Sequence, residues 1–471
     1  SMIKKKKEKI IIENLEITDA GAEGKAVGKH EGLTVFVPFA IPGDIVDVAI
    51  FKKKKGYAEG NVIALKQPSP HRISPTCDHF GLCGGCKWQI LDYSQQLFYK
   101  QKQVHDNFKH LGKFDYPEPF PVIPSEKQYY YRNKLEFTFS DLRWLEQKDL
   151  FLQQEGKQIE TNGLGFHIPG KFDKVLDINH CYLQKDPSNS IRLAIRDYAI
   201  THKISFYNIR NHEGILRNLI IRTSSTGQLM VIVVFTQKSE ETMHLMEFIA
   251  EKFPEITSLQ YVINQKVNDS ITDLEIFLYK GESFIYEKME DLQFKIGAVS
   301  FYQTNSEQAY QLYKTAREYA GITKEDLVYD LYTGTGTIAN FIAREAKKVV
   351  GIEYVDAAVE DARLNSNLNG INNTIFYAGD MAKILTSEFI TQNGSPDIII
   401  TDPPRAGMHP KVIEQILEIA PKRIVYISCN PATQARDITL LASKYEVLKI
   451  QPVDMFPQTH HIENIVLMER K

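Results

Sequence analysis

Cys429 closes an apolar run, Val425-Tyr426-Ile427-Ser428, and is followed by Asn430-Pro431. Such a run reads as a buried strand, and Pro431 permits a helix to start directly after it. A cysteine at the C-terminal tip of a parallel strand lies on the rim where open α/β sheets bind ligands. That position makes Cys429 a candidate nucleophile, although a free cysteine is more often an inert buried residue. One strand earlier, Ile398-Ile399-Ile400-Thr401 runs into Asp402-Pro403-Pro404-Arg405. After it, His461-Ile462-Glu463-Asn464 separates the last two strand-like runs and offers a base. Glu463 is the choice over His460 and His461, which compete on their ordinary pKa. Without a partner, Glu463 would be a surface carboxylate in a hairpin.

A second group of residues points to a nucleoside ligand. Asp330-Leu331-Tyr332-Thr333-Gly334-Thr335-Gly336-Thr337 follows a strand and opens a helix. Its glycines let backbone approach a ligand where a side chain would clash. The next strand ends at Glu353, where a carboxylate can accept both ribose hydroxyls, and the third ends at Asp380, within reach of an adenine amine. A dinucleotide site would carry a third glycine where Ala339 stands, and Asp330 would repel a pyrophosphate. A carboxylate suits the sulfonium and ammonium of S-adenosylmethionine instead. Upstream, Phe301-Tyr302-Gln303-Thr304-Asn305 precedes a helix, with Gln303 able to bond cofactor or base.

These two sets define one chemistry. Pyrimidine C5 is a poor nucleophile towards a sulfonium methyl, but thiolate addition at C6 gives C5 carbanion character. After methyl transfer, a base must remove the C5 proton before the cysteine leaves. Asp/Asn-Pro-Pro-aromatic motifs of amine methyltransferases resemble Asp402 to Arg405, but Arg405 replaces the base-stacking aromatic and speaks against an exocyclic amine target.

The elements that must position these residues follow from the rest of the chain. At 471 residues it is too long for one core. Residues 1–66 show short strands punctuated by Gly and Pro (Ile10 to Ile12, Leu33 to Val37, Asp44 to Val48, Ala58 to Ile63), an OB-type barrel pattern with a basic hairpin tip at Lys52 to Lys55. Residues 67–296 hold a cysteine-rich segment, a helix over Tyr93 to Leu111 and a β-rich region. Residues 297–471 alternate strand and helix and end in a two-strand return with an antiparallel edge, which predicts an α/β Rossmann-like sheet. Net charge is −3, which argues against a uniformly basic nucleic-acid binder without excluding local basic faces. No apolar run is long enough to span a membrane. Lys4 to Lys7 is polar where a signal peptide would be apolar. Five cysteines make no disulfide framework, so a cytoplasmic protein with reduced or metal-bound thiols is expected, as a monomer.

Cys77, Cys83, Cys86 and the distant Cys181 suit either tetrahedral zinc or a four-iron cluster by spacing. Gly81, Gly84 and Gly85 let amides reach cluster sulfurs and tilt the reading towards iron.

The combined motifs, Phe301-x-Gln303-x-Asn305, Asp330 to Gly336, Asp402 to Arg405, Ser428 to Pro431 and His461-x-Glu463, resemble the bacterial RNA uracil-5-methyltransferase family over essentially the whole chain. Tyr131-Arg132-Asn133-Lys134 also matches, and the barrel resembles a TRAM domain. The resemblance implies a class I methyltransferase domain, a central α+β domain carrying a 4Fe-4S cluster on Cys77, Cys83, Cys86 and Cys181, Cys429 as nucleophile and Glu463 as proton acceptor. It implies S-adenosylmethionine contacts at Gln303, Tyr332, Glu353 and Asp402, with Asp380 and Thr337; Thr337 stands where some members carry Asn. The implied substrate is a flipped uridine of 23S ribosomal RNA, held by Lys52 to Lys55, Tyr129 to Arg132 and Lys134. Transfer RNA with the same chemistry, and a metal-stapled RNA-binding protein without catalysis, are the competing readings. Members acting on transfer RNA generally look like shorter chains without barrel or cluster.

Overall fold

The computed structural model describes residues 8–471, so the Lys4–Lys7 run lies outside the described residues. Strands β1 (Ile10–Ala22), β2 (Lys25–His30), β3 (Leu33–Val37), β4 (Ile45–Lys54) and β5 (Tyr57–Gln67) close into a barrel in the order β1-β2-β3-β5-β4. Ile12, Leu15, Ile17, Val35, Val37, Val46 and Val48 fill it. The sequence reading lacked β2, whose inward positions carry little apolar bulk. A Cβ at Gly28 would meet the Glu16 carbonyl at 2.7 Å, so the strand crosses there only as glycine. Lys52 to Lys54 end β4, and Lys55 enters the turn at Gly56 (φ 88°). Lys52 pairs with Glu59 across the hairpin at 3.7 Å.

The central sheet contains β6 (Lys134–Ser140), β7 (Gly163–Ile168), β8 (Lys171–Asp177), β9 (Leu216–Thr223), β10 (Leu229–Phe235), β11 (Ser258–Ile263) and β12 (Ile276–Gly281), in the order β12-β11-β10-β9-β6-β7-β8. Strand β10 is buried at every residue, because both faces are covered. One face packs on the helices Ser188–Thr201 and Glu240–Lys252. The other, through Ile220, Met230, Ile232 and Val234, joins a core that continues into the C-terminal sheet. A hairpin absent from the sequence reading, β13 (Ile285–Met289) with β14 (Leu292–Ile296), belongs to that shared core. The backbone amide of Lys295 donates to the Asn365 side chain at 3.0 Å and ties the hairpin to the helix Asp356–Leu368.

The C-terminal sheet is built from β15 (Leu327–Leu331), β16 (Lys348–Glu353), β17 (Thr374–Ala378), β18 (Ile398–Thr401), β19 (Arg423–Ser428), β20 (Tyr445–Val453) and β21 (Glu463–Arg470). Its order is β17-β16-β15-β18-β19-β21-β20. The first five strands are mutually parallel, and their near-continuous apolar runs reflect helices on both faces. The expected antiparallel edge is corrected in one respect. The last strand, β21, borders the Cys429 strand, as its place after the glutamate loop suggests, but it inserts antiparallel between β19 and β20 and so lies inside the sheet, not at its edge. Inserting there buries Asn464 to Met468 between two partners.

The helix Tyr93–Leu111 crosses from the central region to this sheet. It buries Gln96, Lys100, Val104 and Phe108, a stripe at helical spacing. Lys100 Nζ meets Asp454 Oδ1 at 2.5 Å with both side chains fully shielded from solvent. Tyr93 Oη donates to Asp454 Oδ2 at 2.6 Å, and Lys100 also donates to the Phe456 carbonyl at 3.1 Å. Burial pulls the Lys100 ammonium below its ordinary pKa, while Asp454 pulls it back up. Removing one member of such a pair strands a charge in a low-dielectric interior. Asp454→Ala is therefore expected to cost about 3–5 kcal/mol in urea unfolding, and Lys100→Met with Asp454→Leu to recover most of it; equal losses in the single and double variants would contradict this.

Candidate active site

The site forms along the C-terminal ends of the parallel strands. Asp330 is the penultimate residue of β15, Glu353 ends β16, Asp380 follows β17, Asp402 follows β18 and Cys429 follows β19. The positions read from the sequence thus fall on one rim. On β21, Glu463 sits at the first residue of the strand and is buried, not a surface hairpin carboxylate. The β19–β21 ladder pairs Ser428 with Asn464, which sets Cys429 and Glu463 one step beyond the last pair.

The turn after Cys429 is locked by short side chains. Ser428 Oγ accepts from the Asn430 amide at 2.9 Å, and the Asn430 side chain accepts from Ala432 N at 3.1 Å as the cap of the helix Pro431–Leu441. Asn430 Nδ2 and Thr433 Oγ1 both donate to the Arg405 carbonyl at 3.0 Å. The Asp402 and Cys429 loops are therefore one hydrogen-bonded unit, and the cationic Arg405 side chain is left exposed above it.

Burial and neighbouring carboxyls dominate the electrostatics. Asp402 is pushed up to about 7, chiefly by burial and then by Asp330. Asp330 is likewise raised to about 7 by burial, offset in part by Thr333 Oγ1 donating to its Oδ2 at 2.6 Å. Glu463 is held well above the usual carboxylate range by burial and by Asp402, with Arg405 acting in the opposite sense. The Cys429 thiol is raised by burial, then by Glu463, and lowered by Arg405. Arg405 is thus the cation that favours both a thiolate and a carboxylate here, a function the sequence reading missed. The Arg in Asp-Pro-Pro-Arg was its available signal. His460 is driven down to about 3 by burial, then by His461 and three cations; His461 is lowered by burial and then by Arg405. A histidine so depressed is a weak proton acceptor, which favours Glu463 over both.

The glycine loop presents open backbone. Gly334 (φ 58°) has nothing within 4 Å of where a Cβ would project, while a Cβ at Gly336 would meet Ala362 Cβ at 2.8 Å. Gly336 is needed for packing against the neighbouring helix and Gly334 for an open approach. Glu353 Oε1 accepts from the Gly334 amide at 3.2 Å and Oε2 from Val355 N at 2.9 Å, leaving each oxygen a free lone pair. Asp380 caps a short helix through one oxygen. Tyr332 takes a left-handed φ of 61° and is half-buried, sensing Asp437 and Asp380. Thr337 is buried at the first position of the helix Thr337–Ala343. The Asp330 Oδ1 atom is buried without a hydrogen-bond partner. This donor set, acceptors for hydroxyls and amines plus carboxyls able to balance a cation, fits an adenosyl sulfonium.

Gln303 is aimed from the other side by the central sheet. Arg222 of β9 donates to the carbonyls of Gly297 at 3.0 Å and Ser300 at 2.7 Å, and Asn133 Nδ2 donates to the Gln303 carbonyl at 2.8 Å. Buried Tyr313 of the helix Ser306–Ala320 has its hydroxyl held well above its ordinary pKa by burial and then by Asp402, with Gln303 acting in the opposite sense. Neither Arg222 nor Tyr313 was singled out from sequence; both sit among ordinary core residues there.

The remaining four cysteines line a separate cavity of about 320 Å³ with His79, Phe80, His180 and Tyr182. The amides of His79 and Gly85 approach the sulfurs of Cys77 and Cys83 at 3.4 Å. Among the described residues no three His, Cys, Asp or Glu side chains converge on a point where one metal ion would sit.

A family model described as tRNA (Uracil-5-)-methyltransferase matches residues 279–471, and a TRAM domain model matches residues 12–63. An RNA methyltransferase of Bacteroides thetaiotaomicron is 59% identical, with 95% of this chain and 99% of that protein covered. One from Porphyromonas gingivalis is 55% identical over 97% of this chain and 99% of its own. Among solved structures, the Pyrococcus abyssi tRNA (uracil-54, C5)-methyltransferase in complex with S-adenosyl-L-homocysteine matches with a TM-score of 0.74 at 27% identity, covering 98% of this chain and 100% of that one.

The raised carboxyl at Asp402 has a stability consequence. Its folded pKa lies above its unfolded one, so its contribution is fully present at low pH and is lost as pH rises through about 7. In ligand-free protein, the melting temperature of Asp402→Asn is expected to rise relative to wild type as pH goes from 5 to 8, because wild type loses this contribution between its unfolded pKa and about 7. A difference in melting temperature that does not change with pH would contradict the burial.

Proposed function

Because the chain belongs to the RNA uracil-5-methyltransferase family, with a class I methyltransferase fold using S-adenosylmethionine behind a TRAM barrel, we propose that it methylates C5 of a uridine in 23S ribosomal RNA with Cys429 as nucleophile and Glu463 as base. The observation that carries this reading is the adjacency of β19 and β21, which brings a strand-tip thiol and a buried carboxyl to neighbouring ladder positions.

Gln303, Tyr332, Thr337, Glu353, Asp380 and Asp402 are the residues proposed to hold the cofactor. Bound there, S-adenosylmethionine supplies an electrophilic methyl on a sulfonium. Cys429 Sγ adds to C6 of the flipped base as the C5–C6 π pair moves to C5; C5 then takes the methyl, and the electron pair of the broken methyl–sulfur bond stays with the departing S-adenosylhomocysteine. Arg405 lowers the cost of the thiolate, whose formation burial and Glu463 oppose. Glu463 then accepts the C5 proton, and the C6–S bond breaks to regenerate the thiolate and the C5–C6 double bond. A carboxylate in this dry setting is a stronger base than one in water, because its neutral form is favoured. His460 and His461 stay uncharged beside it.

We extend the proposal to a 4Fe-4S cluster on Cys77, Cys83, Cys86 and Cys181. The four thiols face one cavity, and two backbone amides point at their sulfurs, as a cluster's charged sulfurs require. The division of the chain into residues 1–66, 67–296 and 297–471 and a cytoplasmic, monomeric state complete the proposal. Among the described residues no helix is long and apolar enough to cross a membrane.

Transfer RNA is the second reading, favoured by the end-to-end likeness to the Pyrococcus abyssi enzyme, a tRNA (uracil-54, C5)-methyltransferase. That likeness removes chain length as an argument against it. The cysteine set then remains the feature that favours ribosomal RNA. Mapping methyluridine on 23S and transfer RNA transcripts after treatment decides between them: the proposal requires the modification on 23S RNA, and methylation confined to transfer RNA would reject that part.

Cys429→Ala is expected to reduce methylation by about 10⁴-fold or more while S-adenosylmethionine binding is retained. Glu463→Gln is expected to accumulate an RNA–protein adduct stable on denaturing gels; rapid turnover in either variant would refute the assignment. For the metal, anaerobically purified protein is expected to be brown, absorbing at about 400 nm, and a colourless zinc protein would overturn the cluster.

A further inference from the structure

The Tyr131-Arg132-Asn133-Lys134 motif is only partly used by the chemistry above. Tyr131 Oη donates to the Pro457 carbonyl at 2.8 Å, and Asn133 positions Gln303. The residues around this motif carry a second arrangement. Tyr130 is 37% exposed and held in a left-handed conformation at φ 56°. Its amide donates to the Tyr182 carbonyl at 2.7 Å, and its hydroxyl meets His180 Nε2 at 2.9 Å. The Tyr130, His180 and Tyr182 rings form one cluster with centroids 4.4–6.1 Å apart. A bulky residue in this backbone region costs free energy that its surroundings must supply. The same ring on an ordinary backbone would point elsewhere.

Beside the ring opens a small polar cavity of about 70 Å³ whose lining includes Tyr130, Arg132, Lys127, Lys185 and Ser306. Lys127 is paired with Glu307 at 2.7 Å. Arg132 and Lys185 form no ion pair among the described residues. Asp186 is the carboxylate felt by Tyr130, after burial and Tyr182. Arg132 also lies over the Phe456 ring at 5.8 Å, and Phe456 meets the His461 ring edge-on at 6.0 Å. Arg132 thus links the cavity to the loop before Glu463, and Asn133, Asn305 and Ser306 in its lining flank the Gln303 segment.

We propose that Tyr130 with Arg132 and Lys185 forms a nucleotide subsite that stacks an unpaired base of the substrate RNA strand and binds its phosphate, next to the flipped target uridine. The inference rests on the RNA methyltransferase reading and adds a subsite to it. An exposed aromatic face beside unpaired cations is the combination that holds single-stranded RNA. Extracting a uridine from its stack leaves neighbouring bases without partners, and a fixed ring one step from the catalytic loop gives one of them a surface.

The test uses the full-length protein and a fluorescein-labelled single-stranded oligouridylate, with 23S transcript as methylation substrate. Tyr130→Gly removes the ring and relieves the backbone. It is expected to weaken oligouridylate binding about 5- to 150-fold, the factor that one stacked base contributes, at unchanged melting temperature and cofactor affinity. Tyr130→Phe is expected to bind as wild type. Lys185→Gln is expected to reduce the slope of log affinity against log salt by ~0.7, one phosphate on a single strand. Wild-type affinity and slope in the glycine and glutamine variants would overturn the subsite. So would a glycine variant that loses melting temperature along with binding, or a phenylalanine variant as weak as glycine, because the ring would then be structural. If wild type binds but methylates no uridine-containing transcript, the enzyme reading fails and the subsite is judged by binding alone.

Discussion

The pairing of β21 against β19 is the constraint on which the site depends. Side chains alternate across a strand, so a slip of one residue in that ladder would turn Glu463 from the pocket to the opposite face. The ladder is fixed from both sides, since β21 also pairs with β20 through Val453 opposite Glu463. Buried Gln434 donates to the Tyr426 and Asn464 carbonyls at 3.2 Å, and Asn464 donates back to Gln434 at 2.8 Å. The two bonds to Asn464 are available in one register only. An inserted antiparallel strand is thus how a chain segment at the far C-terminus reaches the strand-tip cysteine.

The loop that feeds β21 is held as firmly, and from outside its own sheet. Gln458, at φ 73°, has its carbonyl bonded by the amides of Lys87 at 2.9 Å and Trp88 at 3.0 Å, and its amide donates to Gln96 at 2.9 Å. Lys100 and Tyr93 fix Asp454, four residues earlier. The cysteine-rich segment and its helix therefore fix the backbone of the loop that leads to Glu463. Even the barrel takes part: a Cβ at Gly24 would lie 3.1 Å from His460 Nδ1. In the dry pocket so formed, carboxyls are pushed towards their neutral forms, and Arg405 at the rim supplies the compensating charge. Substrate phosphates and the cationic cofactor would both alter that balance on binding.

Much of the sheet was legible in the sequence because buried parallel strands read as apolar runs with turns at their ends. Arg423 to Ser428 was readable for that reason; Leu216 to Thr223 and Lys134 to Ser140, antiparallel strands of the central sheet, were readable from their apolar and alternating residues, as was the helix Tyr93–Leu111. Strands with small or alternating polar residues were not. β2 carries Gly28 where bulk would clash, and β8 and the β13–β14 hairpin bury their apolar residues only against distant elements. The rim acids could be located because each follows a readable strand. The supporting residues could not: Lys100, Asp454 and Gln458 lie hundreds of positions apart or in irregular loops, and nothing local marks a lysine as buried. Arg405 was visible as a departure from an aromatic, but its electrostatic task depends on where β21 inserts.

The most direct test of the central claim follows the proton at C5. With RNA carrying tritium at uracil C5 and S-adenosylmethionine bearing a labelled methyl, wild-type protein should release one tritium to water for each methyl incorporated, and Cys429→Ala should do neither. Methyl incorporation without tritium release would move the target atom away from C5 and contradict the roles given to Cys429 and Glu463.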